Sequence, residues 1–277
     1  MPLLSILILS IVQAITEFLP ISSSGHLVVL HEFLTPGGGD AWGAELVMDL
    51  AVHVGTLLAV IVYYHKDVWA MITGVLRWLA RSKQQDAESC RLAFYLIIAS
   101  VPVMVLGVLL TLWEPEWLRS VQVVAWTVFL YGILLWWVDA KFPADKQIAD
   151  LNWRGAMLIG FAQMMALVPG TSRSGITMTA ARYQGLSRTE AARFSFLLSI
   201  IAMTAAGGMG ALKLIESGNT ALAGDALIAT GVTFVSALCV MAFLMKFLQT
   251  HTFKAFAIYR IALGIGLLTA VYVYGWS

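Results

Sequence analysis

Between Gln13 and His26 the chain reads QAITEFLPISSSGH, setting a carboxylate, three consecutive hydroxyls, a glycine and an imidazole between apolar flanks at 3–12 and 27–30. An ionisable group inside an apolar run costs several kcal/mol (about) unless it has work or a partner, so this stretch marks a functional site. A second polar stretch, 163–175, reads QMMALVPGTSRSG. Shifted by 150 positions, Gln13 falls on Gln163, and Ser22, Ser24 and Gly25 fall on Ser172, Ser174 and Gly175, with the prolines one residue out of step. Arg173 is the cation of the second stretch, and its planar fork of donors suits phosphate oxygens in both charge and geometry. Short helices starting near Ser22 and Ser172 would aim free backbone N–H groups at the same place. Hydroxyls of Ser22, Ser23, Ser24, Thr171, Ser172 and Ser174 add donors. The chemistry implied is the gripping of an anion with several negative oxygens, such as a diphosphate.

His26 follows Ser23 by three residues and Ser22 by four, spacings that share a helical face. An imidazole there can take a proton from serine or water and return it to a leaving group. Glu17 has three open roles: orienting His26, pairing with Arg173, or coordinating a divalent cation that bridges phosphates. Plainer roles stand beside these. Glu17 and Arg173 would also serve as an ion pair joining two halves, and the serines as partners for backbone freed at Pro20 and Pro169. His26 also reads as an ordinary buried histidine. His53, in VHVGT, reads equally as core filler or as a polar wall of the pocket.

These residues need a membrane protein around them. Of 277 residues, 60% are hydrophobic and 12% charged, about half the charged share of a soluble domain. Net charge is +1, which offers no field for nucleic acid, and Cys90 and Cys239 are too few and too far apart for a disulfide framework. No basic region precedes the first apolar run, so a cleaved signal peptide is not expected.

Residues 3–18 and 21–34 are each short for a crossing, and Pro20 between them forces Leu19 out of helix, so 3–34 reads as a re-entrant hairpin. Spans follow at 46–64, 92–112 and 121–138, with an amphipathic stretch at 68–79, carrying Trp69, Ile72 and Leu76, along the interface. A polar connector, 139–153, separates the halves. The second hairpin, 153–185, breaks at Pro169 and Gly170, and spans at 189–214, 226–247 and 256–274 complete the chain. Lys66, Arg77, Arg81, Lys83, Arg91, Lys141, Lys146, Arg154, Arg182, Arg188, Arg193, Lys246 and Lys254 then share one face, leaving Arg119 and Lys213 opposite. By the positive-inside rule the first face is cytoplasmic and both termini are outside. The predicted fold is an all-α polytopic membrane domain over 1–277. It has six transmembrane helices and two re-entrant hairpins, built from inverted repeats at 1–138 and 154–277 with the site near the midplane.

TEFLPISSSGH at Thr16 to His26 and PGTSRSG at Pro169 to Gly175 resemble the two signature motifs of the undecaprenyl-diphosphate phosphatases of the bacitracin-resistance type. FSFLL at Phe194 to Leu198 and FAIYR at Phe256 to Arg260 resemble further stretches, so the likeness covers nearly the whole chain. It implies hydrolysis of a polyprenyl diphosphate to the monophosphate, recycling the lipid carrier of cell-wall synthesis in the bacterial inner membrane. It also implies a pocket opening to the periplasm and dependence on a divalent cation, Mg or Ca, at Glu17. Glu17, Ser22, Ser23, Ser24, His26, Ser172 and Arg173 match the family's functional residues. Two positions depart: Gln13 stands where a second glutamate is usual, which weakens metal binding, and Ile201 where proline is common. The expected mechanism has Arg173, Glu17, Ser23 and His26 as the catalytic set, with Ser23 the nucleophile and His26 its acid/base partner. Water activated at His26 or Glu17 is the rival nucleophile. Ser22, Ser24, Thr171, Ser172, Ser174, Gln13 and His53 line the substrate. A carrier or flippase of an anionic lipid is the alternative function, and a homodimer is compatible though no motif demands one.

Overall fold

The computed structural model describes residues 2–23, 25–26, 42–81, 87–113, 120–217 and 220–275. The outer part of the first hairpin, Ser24 and the acidic turn at 114–116 lie outside them. The regular elements among the described residues are helices, with one isolated bridge between Lys146 and Leu186.

Helix α1 spans Leu3–Phe18. Its buried positions include Ile6, Leu9, Ser10, Gln13 and Glu17, a three-and-four spacing, while Leu3, Leu4, Ile11 and Ile15 are exposed. Gln13 and Glu17 therefore turn inward while the outward side of the helix is apolar, the arrangement a bilayer imposes. The helix stops where Leu19 becomes extended (ψ 143°), as a residue preceding proline must.

Helices α2 (Trp42–Tyr63) and α3 (His65–Leu79) meet at an 80° bend, and α3 leaves Trp69, Ile72 and Leu76 exposed along one side. That is the geometry of a helix lying on an interface. Helices α4 (Ala87–Trp113) and α5 (Val121–Lys141) follow. The connector to the second half is pinned rather than free: the Lys146 amide donates to the Gly185 carbonyl (3.0 Å) and the Ser187 amide to the Lys146 carbonyl (2.8 Å). Helix α6 (Trp153–Met164) starts on an Asn152 cap, whose side chain accepts from the Gly155 amide, and runs into a 3-10 turn at Met165–Leu167. After the break come α7 (Arg173–Tyr183), α8 (Arg188–Ser217), α9 (Thr220–Phe247) and α10 (Lys254–Tyr274).

Among the described residues four stretches, Ala87–Leu110, Val121–Lys141, Leu222–Phe247 and Lys254–Tyr274, are long and apolar enough to cross a bilayer, and the α2–α3 pair passes the same test only if its two bent arms are counted as one span. The protein is thus an all-helical polytopic membrane protein.

Helix α1 packs on α9 and α2, α6 on α4, and α5 along α10. The short helix α7 lies innermost, with Ser174 through Arg182 all buried among α5, α6 and α8. Its hydroxyls and arginines would be untenable against lipid, and here they are satisfied by protein. Thr177 Oγ1 and Ser195 Oγ are 2.7 Å apart, and Thr179 donates to the Gly175 carbonyl at 2.6 Å.

One of the basic residues counted for sidedness is not exposed. Arg182, counted from its position with the cytoplasmic charges, is fully buried. It donates to Asp139 Oδ1 (2.9 Å) and to the carbonyls of Pro143 (2.6 Å) and Phe142 (2.9 Å), a set that replaces water around the guanidinium. Asp139 also accepts from Arg188 Nε (2.8 Å) and the Phe253 amide (2.9 Å), tying together α5, α7, α8 and the start of α10.

Candidate active site

Both breaks end on a serine in a left-handed conformation, Ser22 at φ 78° and Ser172 at φ 70°. Each hydroxyl then caps the next helix by accepting from the amide three residues on: Gly25 at 3.3 Å from Ser22 Oγ, Gly175 at 3.1 Å from Ser172 Oγ. L-residues avoid this region at a cost of about 1 kcal/mol or more, and such strain collects at functional sites. The second break also needs Gly170 (φ 85°), where an added Cβ would lie 2.2 Å from Thr127 Oγ1 and 2.6 Å from the Val124 carbonyl. Ser174 Oγ donates to the Leu19 carbonyl (3.1 Å), so the two breaks touch.

Glu17 is the node where they meet. One carboxylate oxygen accepts from Arg173 Nη2 at 2.8 Å; the other accepts from Ser23 Oγ at 2.9 Å and from Gln13 Nε2 at 3.2 Å. Arg173 Nη1 donates to the Ser195 carbonyl at 3.2 Å, which fixes the plane of the guanidinium. The Glu17 and Arg173 side chains are 8% and 16% exposed, so their attraction is little screened by solvent. A carboxylate and a hydroxyl from the first break and a guanidinium from the second, 156 residues from Glu17, therefore converge within hydrogen-bond distance.

The histidines fall on either side of this node. His53 Nδ1 lies 2.6 Å from the Asp49 carbonyl and must donate to it, since a carbonyl only accepts. Its Nε2 is then an acceptor, 3.4 Å from Gln13 Nε2. His53 is thereby a polar wall joined to Glu17 through Gln13. His26 Nδ1 likewise donates to the Ser22 carbonyl (2.6 Å), and its Nε2 accepts from the Tyr259 hydroxyl (2.6 Å), with the rings stacked at 5.7 Å.

The expected Ser23–His26 bond is not formed: Ser23 donates to Glu17 instead. Ser22 is a cap outside the helix, and Ser23, the first helical residue, tilts its Cα–Cβ bond back toward the N-terminus and Glu17. Ser172 and Ser174 sit together at 3.2 Å, Thr171 Oγ1 is buried with no hydrogen-bond partner, and Ser24 lies outside the described residues. Tyr259 and its neighbour Arg260 were missed by the reading of spacing. A charged residue inside the apolar run of α10 was the available signal.

Glu17 and Gln13 are the residues here whose oxygens could be tested against a divalent cation. Among the described residues no three His, Cys, Asp or Glu side chains cluster, so no self-sufficient protein cage exists. Beside the Glu17 carboxylate, however, Gln13 Oε1 is buried and accepts no hydrogen bond. Its amide nitrogen is committed to Glu17 and His53, which fixes the orientation of the amide. One carboxylate and one amide oxygen fit Mg or Ca, which take oxygen ligands and are commonly completed by water and substrate phosphates.

A family model described as bacitracin resistance protein BacA matches residues 6–266. The chain is 41% identical over 273 residues to an undecaprenyl-diphosphatase of Jannaschia sp. (strain CCS1), covering 98% of this chain and 100% of that one. It is 43% identical over 272 residues to the undecaprenyl-diphosphatase of Saccharophagus degradans (98% and 99% covered) and 43% identical over 274 residues to that of Hahella chejuensis (98% of each).

Proposed function

The chain belongs to the bacitracin resistance protein BacA family, and from that premise we propose that it is a membrane phosphatase hydrolysing undecaprenyl diphosphate to the monophosphate and phosphate. The product returns the lipid carrier to cell-wall synthesis, and bacitracin resistance follows from keeping the diphosphate scarce. The observation that carries this reading is the convergence of Arg173 and Ser23 on the two oxygens of Glu17 where the breaks touch.

In this reading Arg173, the hydroxyls of Ser172 and Ser174, and the helix starts at Ser23 and Arg173 hold the diphosphate. Ser23 Oγ attacks the terminal phosphorus and the anhydride P–O bond breaks, releasing the prenyl monophosphate and leaving a phosphoserine. The hydroxyl proton passes to the Glu17 carboxylate it already touches. Water then attacks the phosphoserine, giving a proton to Nε2 of His26 once Tyr259 turns away from it; the Ser23 oxygen leaves with the proton returned by Glu17, and phosphate is released. Phosphoryl transfer needs chiefly positioning and charge stabilisation, which the Arg173 fork and the amide-lined helix starts supply. Glu17 and Gln13 Oε1 are the residues that would hold a divalent cation, which would supply neutralisation of phosphate charge. Gln13, having no charge, makes that hold weaker than two carboxylates would.

The layout that suits this reading is six spans and two re-entrant hairpins in two inverted halves, 1–138 and 154–277. The equivalent serine caps at Ser22 and Ser172 support it. Both termini then lie in the periplasm and the site opens to that side, in keeping with the sidedness of the basic residues. The test is phosphate release from a polyprenyl diphosphate by purified protein in detergent, with and without chelator. Stoichiometric phosphate and monophosphate support the reading. Movement of intact lipid across vesicles with no phosphate released would replace it with a carrier.

A further inference from the structure

Arg260 enters the centre of the protein from α10 and is completely buried. Its guanidinium donates to the Gly170 carbonyl (Nη2, 3.0 Å), the Val128 carbonyl (Nε, 3.3 Å), and the Pro20 and Thr127 carbonyls (Nη1 and Nη2, 3.5 Å each). Pro20 and Gly170 are the two break residues, and they stand 150 positions apart, the same offset as the capping serines. A slot without side chains admits the arginine. An added Cβ at Gly175 would lie 2.7 Å from Nη1, and one at Gly132 would lie 2.9 Å from the arginine's own Cβ. Among the described residues no carboxylate pairs with it, since Glu17 and Asp139 are taken up by Arg173, Arg182 and Arg188.

A buried cation with carbonyl partners alone is solvated but not neutralised, and it stands beside the N-terminus of α7, which is itself electropositive. Glu17 offsets one of the two arginines at the breaks. The remaining field favours an incoming polyanion. We propose that Arg260 is a positioning residue that clamps the two breaks together through their equivalent carbonyls and supplies a fixed positive charge balanced by the bound diphosphate. It acts through the Ser22 and Ser172 helix starts without touching the reacting atoms. The proposal rests on the phosphatase reading for the identity of the anion.

The test compares wild type with Arg260→Lys and Arg260→Gln. Binding of a non-hydrolysable farnesyl methylenediphosphonate is measured calorimetrically in detergent, beside farnesyl monophosphonate, together with kcat and KM on a polyprenyl diphosphate. Arg260→Gln weakens diphosphonate binding by about tenfold or more, and monophosphonate binding by less, as expected for a lost charge. Arg260→Lys, which keeps the charge but cannot span both breaks with one planar fork, binds the diphosphonate within about threefold of wild type yet loses about tenfold or more in kcat. Equal diphosphonate affinity in Arg260→Gln and wild type overturns the charge role, and wild-type kcat in Arg260→Lys overturns the clamp. Should the glutamine variant not fold, the lysine variant decides by its kcat. A wild type that binds the diphosphonate but releases no phosphate sinks the phosphatase reading instead, and the charge role is still judged on binding.

Discussion

Ser22 and Ser172 lie 150 residues apart, share a left-handed backbone, and each accepts a hydrogen bond from the glycine amide three positions later. Each opens a helical turn where the two breaks touch, Ser174 Oγ donating to the Leu19 carbonyl at 3.1 Å. The caps carry opposed costs: the hydroxyl stabilises the helix start while the Cβ strains it.

That opposition predicts a ranking at Ser172. Alanine keeps the strain and loses the cap, lowering stability by about 1–2 kcal/mol. Glycine loses the cap but relieves the strain, so its loss is smaller. Thermal unfolding in detergent checks the order, and glycine proving worse than alanine would contradict the strain assignment.

Glu17→Gln keeps the shape of the side chain and removes the charge that both Arg173 and Ser23 address. Turnover falls by about 10³-fold or more, with most of the loss in kcat, because the acceptor for the serine proton is gone. Steady-state kinetics measure this, and a variant within tenfold of wild type would rule Glu17 out as the base.

Ser23 makes a separate prediction. Acid quench of a single turnover on a diphosphate labelled at its terminal phosphate traps label on Ser23 in wild type and none in Ser23→Ala. Full turnover without any trapped label, retained in Ser23→Ala, would hand the attack to water.

Gln13→Glu places a second carboxylate one helical turn before Glu17 and near His53. The variant binds Mg or Ca about tenfold or more tightly than wild type. Without cation it is less stable, because two buried carboxylates repel. Calorimetric titration of the metal with and without chelator pretreatment reads both effects; unchanged metal affinity would remove Gln13 Oε1 from the proposed cation site.

Much of this was legible in the chain. Pro20 and Pro169 mark the breaks because proline removes a donor and dictates the conformation of the residue before it, and α1 ends at Phe18 as read. The spacing of Trp69, Ile72 and Leu76 places them on one side of a helix, and in α3 all three are exposed. The partner of Ser23 was not legible. Helical spacing pointed to His26, but φ 78° at Ser22 delays the helix by one residue and turns the hydroxyl toward Glu17. Tyr259 and Arg260 escaped for another reason. Their partners, His26 and the Pro20 carbonyl, are more than 200 positions away, a distance no local pattern encodes. The burial of Arg182 was not legible either, because sequence position says nothing of the carbonyls that gather around a guanidinium.

The central claim is that the two breaks form one phosphate-gripping site with Arg173 as its cation. Phosphate release from undecaprenyl diphosphate by purified wild type and Arg173→Ala, each shown folded by its thermal transition, tests it most directly. The account predicts equimolar phosphate and monophosphate from wild type, and at least about a 10³-fold slower release from the variant. Release from Arg173→Ala within tenfold of wild type would contradict it.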